Sequence, residues 1–426
     1  MSTDWTEIDN NLLNPYWYVG DESHAAFKRL RDDDPVHWTK DDRFGRHYWS
    51  ITRYDDVKAY LLDHDRLSSR WQTRVPRTPE RFTPEERYAM GFDVAIPVLD
   101  NPWHDVYRRP ANKHFSVPAI AKMSHDVDAI IDEVLLEVAD RGACDLVEDI
   151  SAQVPLRVVF NMLGIPRSDW DELQFLTWQQ GAPADPRYII DGDHYKTHRI
   201  ALQKIADYCL ELAHERRKTP RDDFATVIAN FEVDGSPISP HEIQWWFATI
   251  LRGGLETTRN TAAVGLWLFM EKPDQREKLL SNPGLMKGAL EEVMRWVSPA
   301  RNRLRIANEK MQIGGNTIAA GDWVVGFLAS ANRDERAFDD PDTFDITRTS
   351  GEHLALGAGI HLCLGRNLAR VELASLFSKA LRAFPDLRRT DDSRPEWIPD
   401  ASAVGFVTMP VTFTPASNLD RVLASA

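Results

Sequence analysis

Cysteine is scarce in this sequence, with three in 426 residues. So few cysteines over such a length do not build a disulfide framework, and they are too few for a zinc or iron–sulfur site made of cysteines. This usage is typical of a reducing compartment, and we predict a cytoplasmic protein. Cys144 and Cys209 lie in segments with a helical pattern and are expected to be small buried core residues.

The sequence also lacks a long apolar run and an excess of positive charge. Its start, "MSTDWTEIDNNLLNPYW", is acidic and polar, unlike a signal peptide, and "AAVGLWLFM" is too short to cross a bilayer. Acidic residues outnumber Lys and Arg by 65 to 51, which gives a net charge of −14. Because nucleic-acid footprints are basic, we expect neither a nucleic-acid nor a membrane partner. An acidic protein partner would need a local basic patch.

The remaining pattern predicts a mostly α protein with small β-sheets. There is no internal repeat or low-complexity linker, so the chain forms one large domain or two tightly joined ones. Alternating residues predict strands over 35–39 and 47–52, and helical periodicity dominates from about 118 to 300. Strands return in "MQIGGNTIAAGDWVVGF", and "VGFVTMPVTF" predicts a final pair of strands.

Two helices can be placed from local signals. Ser239, Pro240 and Glu242 form a capping box with a proline start, and the helix then runs to Pro273, about 50 Å at 1.5 Å per residue. Its flanks are apolar nearly all round, so it should pass through the core. A second helix follows Cys363, because apolar residues recur there at steps of three and four.

Cys363 therefore precedes the N-terminus of a buried helix, where unpaired N–H groups and the helix dipole favour a thiolate. Gly357, Gly359 and Gly365 allow the backbone to approach a flat or bulky partner and to turn N–H groups toward the sulfur. A thiolate so placed could be a nucleophile, a redox thiol or a metal ligand. One form of the last is the axial ligand of a haem iron.

The stretch "LGAGIHLCLGRNLAR", residues 356–370, resembles the cysteine loop of the cytochrome P450 family of haem-thiolate monooxygenases. Every specified position matches except Leu356, which replaces the usual Phe. The resemblance implies haem b, with Cys363 as the iron ligand and with Leu356, Gly357, Gly359, His361 and Gly365 around it. It also implies a single P450 domain over 1–426, shaped like a triangular prism, with a β-containing part over about 1–65 and a helical core with the haem over about 66–426.

Two further segments share this resemblance. In "EVMR", Glu292 and Arg295 would form a buried structural network with a later Arg or His, although such a pair alone is usually a surface bridge. In "GGLETT", residues 253–258, the paired glycines Gly253 and Gly254 would make room for oxygen and substrate. Thr257 would hydrogen-bond dioxygen and Glu256 would relay protons. The alternative is a Ser/Thr bend beside a satisfied carboxylate.

The resemblance also assigns cations to the haem propionates. In "DNPWHDVYRR" it carries over His104 and Arg108, although Asn101, Asp105 and an early Pro110 depart from the family pattern. Arg305 in "RIANEK" and His353 in "EHLALG" match the other two propionate-binding positions. Any one of these residues alone would be an ordinary surface residue.

Arg252 is unusual, because better-known family members have an apolar, substrate-contacting residue before the paired glycines. The stretch "ARNRLR" adds Arg301 and Arg303 to the same pocket. A buried arginine is costly unless paired, so Arg252 either pairs with a protein carboxylate or propionate, or waits for an anionic substrate group. The candidate substrate contacts are Arg252, Leu255, Thr249, Ala300, Arg301 and Phe406, with segments 66–98 and 165–215 and the "VGFVT" turn.

We therefore predict a monomeric monooxygenase that inserts one oxygen atom into a small hydrophobic substrate, by C–H hydroxylation or O-dealkylation, with a carboxylate on the substrate as one alternative. Electrons would come from NAD(P)H through a ferredoxin reductase and a ferredoxin. The ferredoxin would dock on a basic patch of Arg108, Arg109, Lys113 and Arg366. Two other classes stay open: an oxidase or peroxygenase that couples or desaturates its substrate, and a non-catalytic haem sensor.

Overall fold

Helices form most of the chain, with short strands between them. The computed structural model describes residues 5–19, 22–41, 46–70, 72–74, 83–181, 183, 185–349, 351–390 and 395–416. The α-helices are α1 Thr6–Asn11, α2 Glu22–Asp33, α3 Tyr54–Leu62, α4 Pro84–Ala89, α5 Trp103–Asn112, α6 Val117–Ala139, α7 Gln153–Met162, α8 Trp170–Gly181, α9 His194–Lys218, α10 Phe224–Ala229, α11 Pro240–Glu271, α12 Pro273–Ser281, α13 Met286–Val297, α14 Leu328–Ala331 and α15 Arg366–Ala383.

The strands are all short, between two and six residues. They are β1 Val36–Asp41, β2 Arg46–Ile51, β3 Leu67–Ser68, β4 Ala143–Asp145, β5 Glu232–Val233, β6 Ser236–Pro237, β7 Asn302–Ala307, β8 Met311–Ile313, β9 Asn316–Ile318, β10 Trp323–Phe327, β11 Arg388–Arg389, β12 Glu396–Trp397, β13 Phe406–Thr408 and β14 Pro410–Thr412. The predicted class, mostly α with small sheets, is confirmed.

The main sheet joins distant parts of the chain. Its strand order is β1-β2-β10-β7-β3. Strand β10 runs parallel to β2, with Val324 opposite Trp49, and antiparallel to β7, with Val325 opposite Leu304. The predicted N-terminal β part therefore completes its sheet with strands from residues 302–327, which favours one unit over two.

The long helix α11 begins where its capping signals predict. The Ser239 hydroxyl accepts a hydrogen bond from the Glu242 N–H at 3.2 Å, and the Glu242 carboxylate accepts one from the Ser239 N–H at 2.7 Å. The helix packs against α7, α9, α13 and α15. Its second half is buried nearly all round, whereas Arg252 and Gly253 near its middle are exposed. This accessible stretch is where the candidate site lies.

The helix after the cysteine, α15, crosses α11 at close range. A Cβ added at Gly265 would stand 2.4 Å from the ring of Phe377, so only glycine allows this approach. The contact fixes α15 against the core and so fixes the loop that precedes it. Within the described residues, no helix is both long and apolar enough to cross a bilayer.

One prediction about local structure is confirmed and another is wrong. The two strands predicted in "VGFVTMPVTF" are present as β13 and β14, although they do not pair with each other: β13 pairs with β12, and β14 lies between β11 and β4. A single residue, Met409, separates them, which is too short for the two-residue turn of a tight hairpin. Cys144 lies in β4 and not in a helix, although it is buried as expected, like Cys209 in α9.

Candidate active site around Cys363

The loop before α15 is folded by its glycines. The Cys363 N–H donates to the carbonyl of Leu356 at 2.9 Å, and Gly357 and Gly359 take φ values of +73° and +68°, which favour glycine. A Cβ at Gly359 would also stand 2.9 Å from the Leu61 carbonyl oxygen. The loop therefore packs closely on the end of α3 and presents its cysteine ahead of α15.

The Cys363 thiol lies in a desolvated place. Burial raises its pKa, and the opposing effects of the Gly365 N–H and of Arg108 are smaller. The Gly365 N–H and Arg108 favour the thiolate, as the position before the helix predicts, but burial outweighs them. A metal ion bound to the sulfur would supply the missing positive charge. Within the described residues, no group of three or more His, Cys, Asp or Glu could hold a metal, so Cys363 would be a lone protein ligand.

Several of the predicted propionate contacts do come together. The rings of His104 and His361 lie 4.5 Å apart, edge to face, and Arg305 and Arg108 act on His361, whose pKa burial lowers to about 2. Arg108 donates to the Leu362 carbonyl, and Arg305 donates to the Tyr60 carbonyl at 3.2 Å.

Both ring nitrogens of His104 lack a hydrogen bond within the described chain, although the residue is 1% exposed and Nδ1 lies 3.5 Å from a carboxylate oxygen of Asp105. Buried polar atoms without hydrogen bonds are rare in native structures, and a carboxylate of a bound group would satisfy them. The guanidinium groups and the neutral imidazoles together therefore fit a macrocycle with acidic side chains, held next to Cys363.

His353 lies beside a protein carboxylate. Its Nε2 atom is 3.1 Å from a carboxylate oxygen of Glu291, on α13, but like the nitrogens of His104 it is buried without a well-formed hydrogen bond in the described chain. Burial would raise the pKa of Glu291, but Arg370 and His353 lower it to about 2. The role of His353 as a propionate contact stays a prediction, and its neighbour Glu291 was not predicted.

The paired glycines in the middle of α11 have different surroundings. A Cβ at Gly253 would meet nothing within 4 Å, whereas one at Gly254 would stand 2.7 Å from Val159 of α7. Gly253 therefore faces open space as predicted. Gly254 makes room for a neighbouring helix and not for oxygen or substrate, because α7 crosses α11 there.

Glu256 and Thr257 follow these glycines and are half-buried. The Thr257 hydroxyl donates to the Gly253 carbonyl at 3.0 Å, and Arg74 lies 3.4 Å from a Glu256 carboxylate oxygen. This matches the alternative of a back-bonded threonine beside a satisfied carboxylate, and both side chains keep accessible surface. Arg74, on the segment after β3, was not predicted, because no local pattern connects it with α11.

Four arginines act on Glu256, namely Arg74, Arg252, Arg259 and Arg303, and we call Arg74, Arg252 and Arg303 the arginine cluster. Burial lowers the pKa of Arg252, and Arg74 lowers it further; burial lowers the pKa of Arg303 to about 10. Yet Arg252 is exposed and Arg303 half-buried. Desolvated side chains that keep accessible surface are typical of the walls of an internal cavity. Arg303 acts on both Glu256 and Cys363, so this cavity connects α11 with the cysteine loop.

Arg301 lies outside the cavity, which corrects its prediction as a substrate contact. Its guanidinium donates to the carbonyls of Asp400, at 2.6 Å, and of Ala403, and it lies 4.5 Å above the Tyr18 ring. The reason is that Ala300 forms a β-bridge with Ala403, which holds Arg301 against residues 400–403.

Two further candidate substrate contacts are wrong. Phe406 is fully buried between Trp267 and Trp397, with ring centroids 5.7 and 4.4 Å away, and Ala300 is only 4% exposed. Both belong to the core and present no surface to a ligand. Leu255 and Thr249 remain half-buried, with the Thr249 hydroxyl donating to the Trp245 carbonyl at 2.7 Å. Of segment 66–98, residues 71 and 75–82 lie outside the described residues.

Comparisons with known proteins agree on one family. The family model for cytochrome P450 matches residues 170–414. A steroid C26-monooxygenase of Mycolicibacterium smegmatis is 32% identical over 419 residues, 97% of this chain and 98% of the relative. The chain belongs to the cytochrome P450 family. A methyl-branched lipid omega-hydroxylase of Mycobacterium bovis is also 32% identical, over 94% of this chain and 93% of the relative.

Solved P450 structures share its fold. The P450 CYP108D1 from Novosphingobium aromaticivorans superposes with a TM-score of 0.83 at 27% identity, over 96% of this chain and 98% of that chain. Substrate-free CYP109E1 from Bacillus megaterium gives 0.82 at 26% identity, over 93% and 100%. The protein is a P450 monooxygenase with haem b as its cofactor. The lone thiol of Cys363 and the partnerless nitrogens of His104 fit that cofactor.

The predicted network behind the P450 cysteine loop is present. Arg295 donates twice to the Glu292 carboxylate, at 2.8 and 2.9 Å, and Arg348 donates to it at 3.0 Å. Arg295 also donates to the carbonyls of Asn332 and Pro341. These buried charges tie α13 to the irregular segment that leads into the cysteine loop.

Proposed function

We propose that this P450 hydroxylates a hydrophobic, lipid-like substrate at a C–H bond, with O-dealkylation as the second reaction of the same site. The observation that carries the proposal is the cavity wall on α11, where open space at Gly253 adjoins the Glu256–Thr257 pair. Named relatives act on steroids and methyl-branched lipids, and CYP109E1, 25% identical, has been crystallised with testosterone. These names support a substrate of that general character.

The residues of α11 have a clear task in such a reaction. Bound haem supplies dioxygen activation, and cleavage of the O–O bond requires protons in a largely dry pocket. The Thr257 hydroxyl can break its hydrogen bond to the Gly253 carbonyl and instead donate and accept hydrogen bonds in the cavity. Glu256, one residue away, can hold and release a proton at its carboxylate oxygens, with Arg74 fixing its orientation.

This function is tested with the haem-loaded protein. Reduced protein under carbon monoxide should show the absorption of thiolate-ligated haem, and Cys363→Ala should abolish it. Reconstituted with a reductase and a ferredoxin, the protein should convert a steroid or fatty acid in a panel to a hydroxylated product that depends on NAD(P)H. Turnover with peroxide alone would favour a peroxygenase, and thiolate-ligated haem without any product would favour a sensor.

We further propose that a ferredoxin docks near Arg366, whose guanidinium donates to the Cys363 carbonyl at 3.1 Å. Arg109 and Lys113 are exposed at the end of the neighbouring helix α5. Arg108 is buried against the cysteine loop, so it is not part of the predicted surface patch. Charge-mediated docking weakens with salt. Turnover should therefore fall steeply as ionic strength rises, and Arg109→Glu with Lys113→Glu should weaken donor binding. A salt-independent rate would contradict this partner.

The remaining proposals concern the chain as a whole. We propose a single P450 domain over 1–426, acting as a monomer in the cytoplasm. The shared main sheet supports one domain. The unpaired state of Cys144, Cys209 and Cys363 supports a reducing compartment.

A further inference from the structure

We infer that the substrate of this P450 carries a carboxylate and that the arginine cluster of Arg74, Arg252 and Arg303 binds it. The inference rests on the proposed function, because it names the chemical class of the substrate that enters the same cavity.

The first observation is that Arg252 has no hydrogen-bond partner among the described residues, although the Glu256 carboxylate acts on it at longer range. Among the described residues it makes no hydrogen bond or ion pair, and it lies next to Gly253, where α11 faces open space. A guanidinium carries five donors in a planar fork that matches a carboxylate. With no acceptor from the described chain and with open space beside it, this fork is free to bind an anionic group that enters there.

The second observation is the charge balance of the cluster. Among the residues that the structure describes, Arg303 donates one hydrogen bond, to the carbonyl of Asn302 at 2.9 Å, which leaves most of its donors without an acceptor there. Within the described part of the chain, Glu256 is the only carboxylate that acts on Arg252 and Arg303. The three cations of the cluster therefore share the Glu256 carboxylate with one another and with Arg259, and the mutual repulsion of Arg74 and Arg252 favours binding a second anion between them.

The carboxylates of haem are the competing ligands, and the fold gives them other partners. His104, His361 and Arg305 lie together beside the cysteine loop. Arg303 acts on Cys363 and so could serve either group. Arg252 is on α11, one turn before Glu256, and faces the open side of that helix. A change at Arg252 therefore tests binding of a substrate carboxylate and not binding of a haem carboxylate.

The position of Arg252 also limits the shape of the substrate. It stands five residues before Thr257, about 7.5 Å along the axis at 1.5 Å per residue. An acid held there lies near the reacting carbon. Compact aromatic or short alkyl acids should therefore fit better than long chains oxidised at the far end.

The test compares acids with their methyl esters on the haem-loaded protein. The probes are benzoic, 4-alkylbenzoic, octanoic and hexadecanoic acids, each paired with its ester, and binding is measured by calorimetry and by the spin-state change of the haem. We expect compact acids to bind about ten- to hundredfold tighter than their esters, as for hydrogen bonds to a charged group. Arg252→Ala should remove this preference, because it should weaken binding of the acid and leave binding of the ester unchanged. Arg252→Lys should retain part of it.

Arg70→Ala is the matched control. Arg70 is an exposed arginine four residues before Arg74, and its guanidinium lies 3.6 Å from a carboxylate oxygen of Asp93. This substitution should leave both affinities unchanged. Absence of an acid preference in every pair, or a preference that survives Arg252→Ala, would overturn the inference. Acids that bind as expected but give no NAD(P)H-dependent product would contradict the proposed function alone. Turnover of neutral lipids without any acid preference would contradict the inference alone.

Discussion

The Thr257 hydroxyl and the Gly253 carbonyl are joined by a hydrogen bond of 3.0 Å across one turn of α11. The next turn repeats the arrangement, because the Thr261 hydroxyl donates to the Thr257 carbonyl at 2.8 Å. Threonines bonded in this way slightly weaken a helix and often bend it. Two such threonines in succession therefore favour a slight bend of α11 beside its open glycine.

Thr257→Ala should separate electron use from product formation. The change removes the hydroxyl beside Glu256 but leaves the cysteine loop and its cations untouched, so haem content should not change. Product per NAD(P)H should fall roughly tenfold or more, as for loss of a proton-transfer group, and hydrogen peroxide should rise in step. Thr257→Ser, which keeps the hydroxyl, should stay near the parent. Unchanged coupling in the alanine variant would show that Thr257 has no such role.

The two glycines of α11 should respond in opposite ways to alanine. At Gly254 the added Cβ would stand 2.7 Å from Val159, and overpacking of this kind costs about 1–3 kcal/mol. At Gly253 nothing lies within 4 Å, so alanine should stabilise the helix by up to about 1 kcal/mol. Urea unfolding of the two variants measures both effects. Equal stability of the pair would contradict the packing of α7 on α11.

Local signals in the sequence predicted the elements that depend on neighbouring residues. The capping box at Ser239 defined the start of α11, and the glycines around Cys363 defined its loop. Features made by distant segments were missed. Arg74 reaches Glu256 across 182 positions, and β14 finds its partners in β4 and β11. The proximity of Glu291 to His353 was also missed, because Glu291 carries no motif.

Glu292→Gln should destabilise the protein far more than Glu291→Gln, although the two residues are adjacent on α13. Glu292 is 3% exposed and accepts from both Arg295 and Arg348. Removing one partner of a buried ion pair costs about 3–5 kcal/mol. Glu291 is more accessible, so its loss should cost less. The thermal midpoint and the haem content of both variants measure this difference, and a larger loss for Glu291→Gln would contradict the order.

Glu372 on α15 should make stability fall as pH rises. Its side chain is 3% exposed, one carboxylate oxygen lacks a partner within the described chain, and burial raises the pKa to about 8. The folded state therefore holds this proton up to about pH 8, whereas the unfolded state releases it near its ordinary pKa of about 4.3. Between these values the unfolded state binds fewer protons, so the free energy of unfolding decreases with pH.

Glu372→Gln should remove this dependence, because an amide stays neutral at every pH. The variant should resemble the parent at pH 5 and should exceed it at pH 9 by an amount on the order of a few kcal/mol, since one pKa unit corresponds to about 1.4 kcal/mol. Urea unfolding at pH 5, 7 and 9 measures the difference. Glu211→Gln, at an exposed glutamate of α9, should change stability by less than about 0.5 kcal/mol throughout. A constant difference between Glu372→Gln and the parent would show that Glu372 is already ionised in the folded protein.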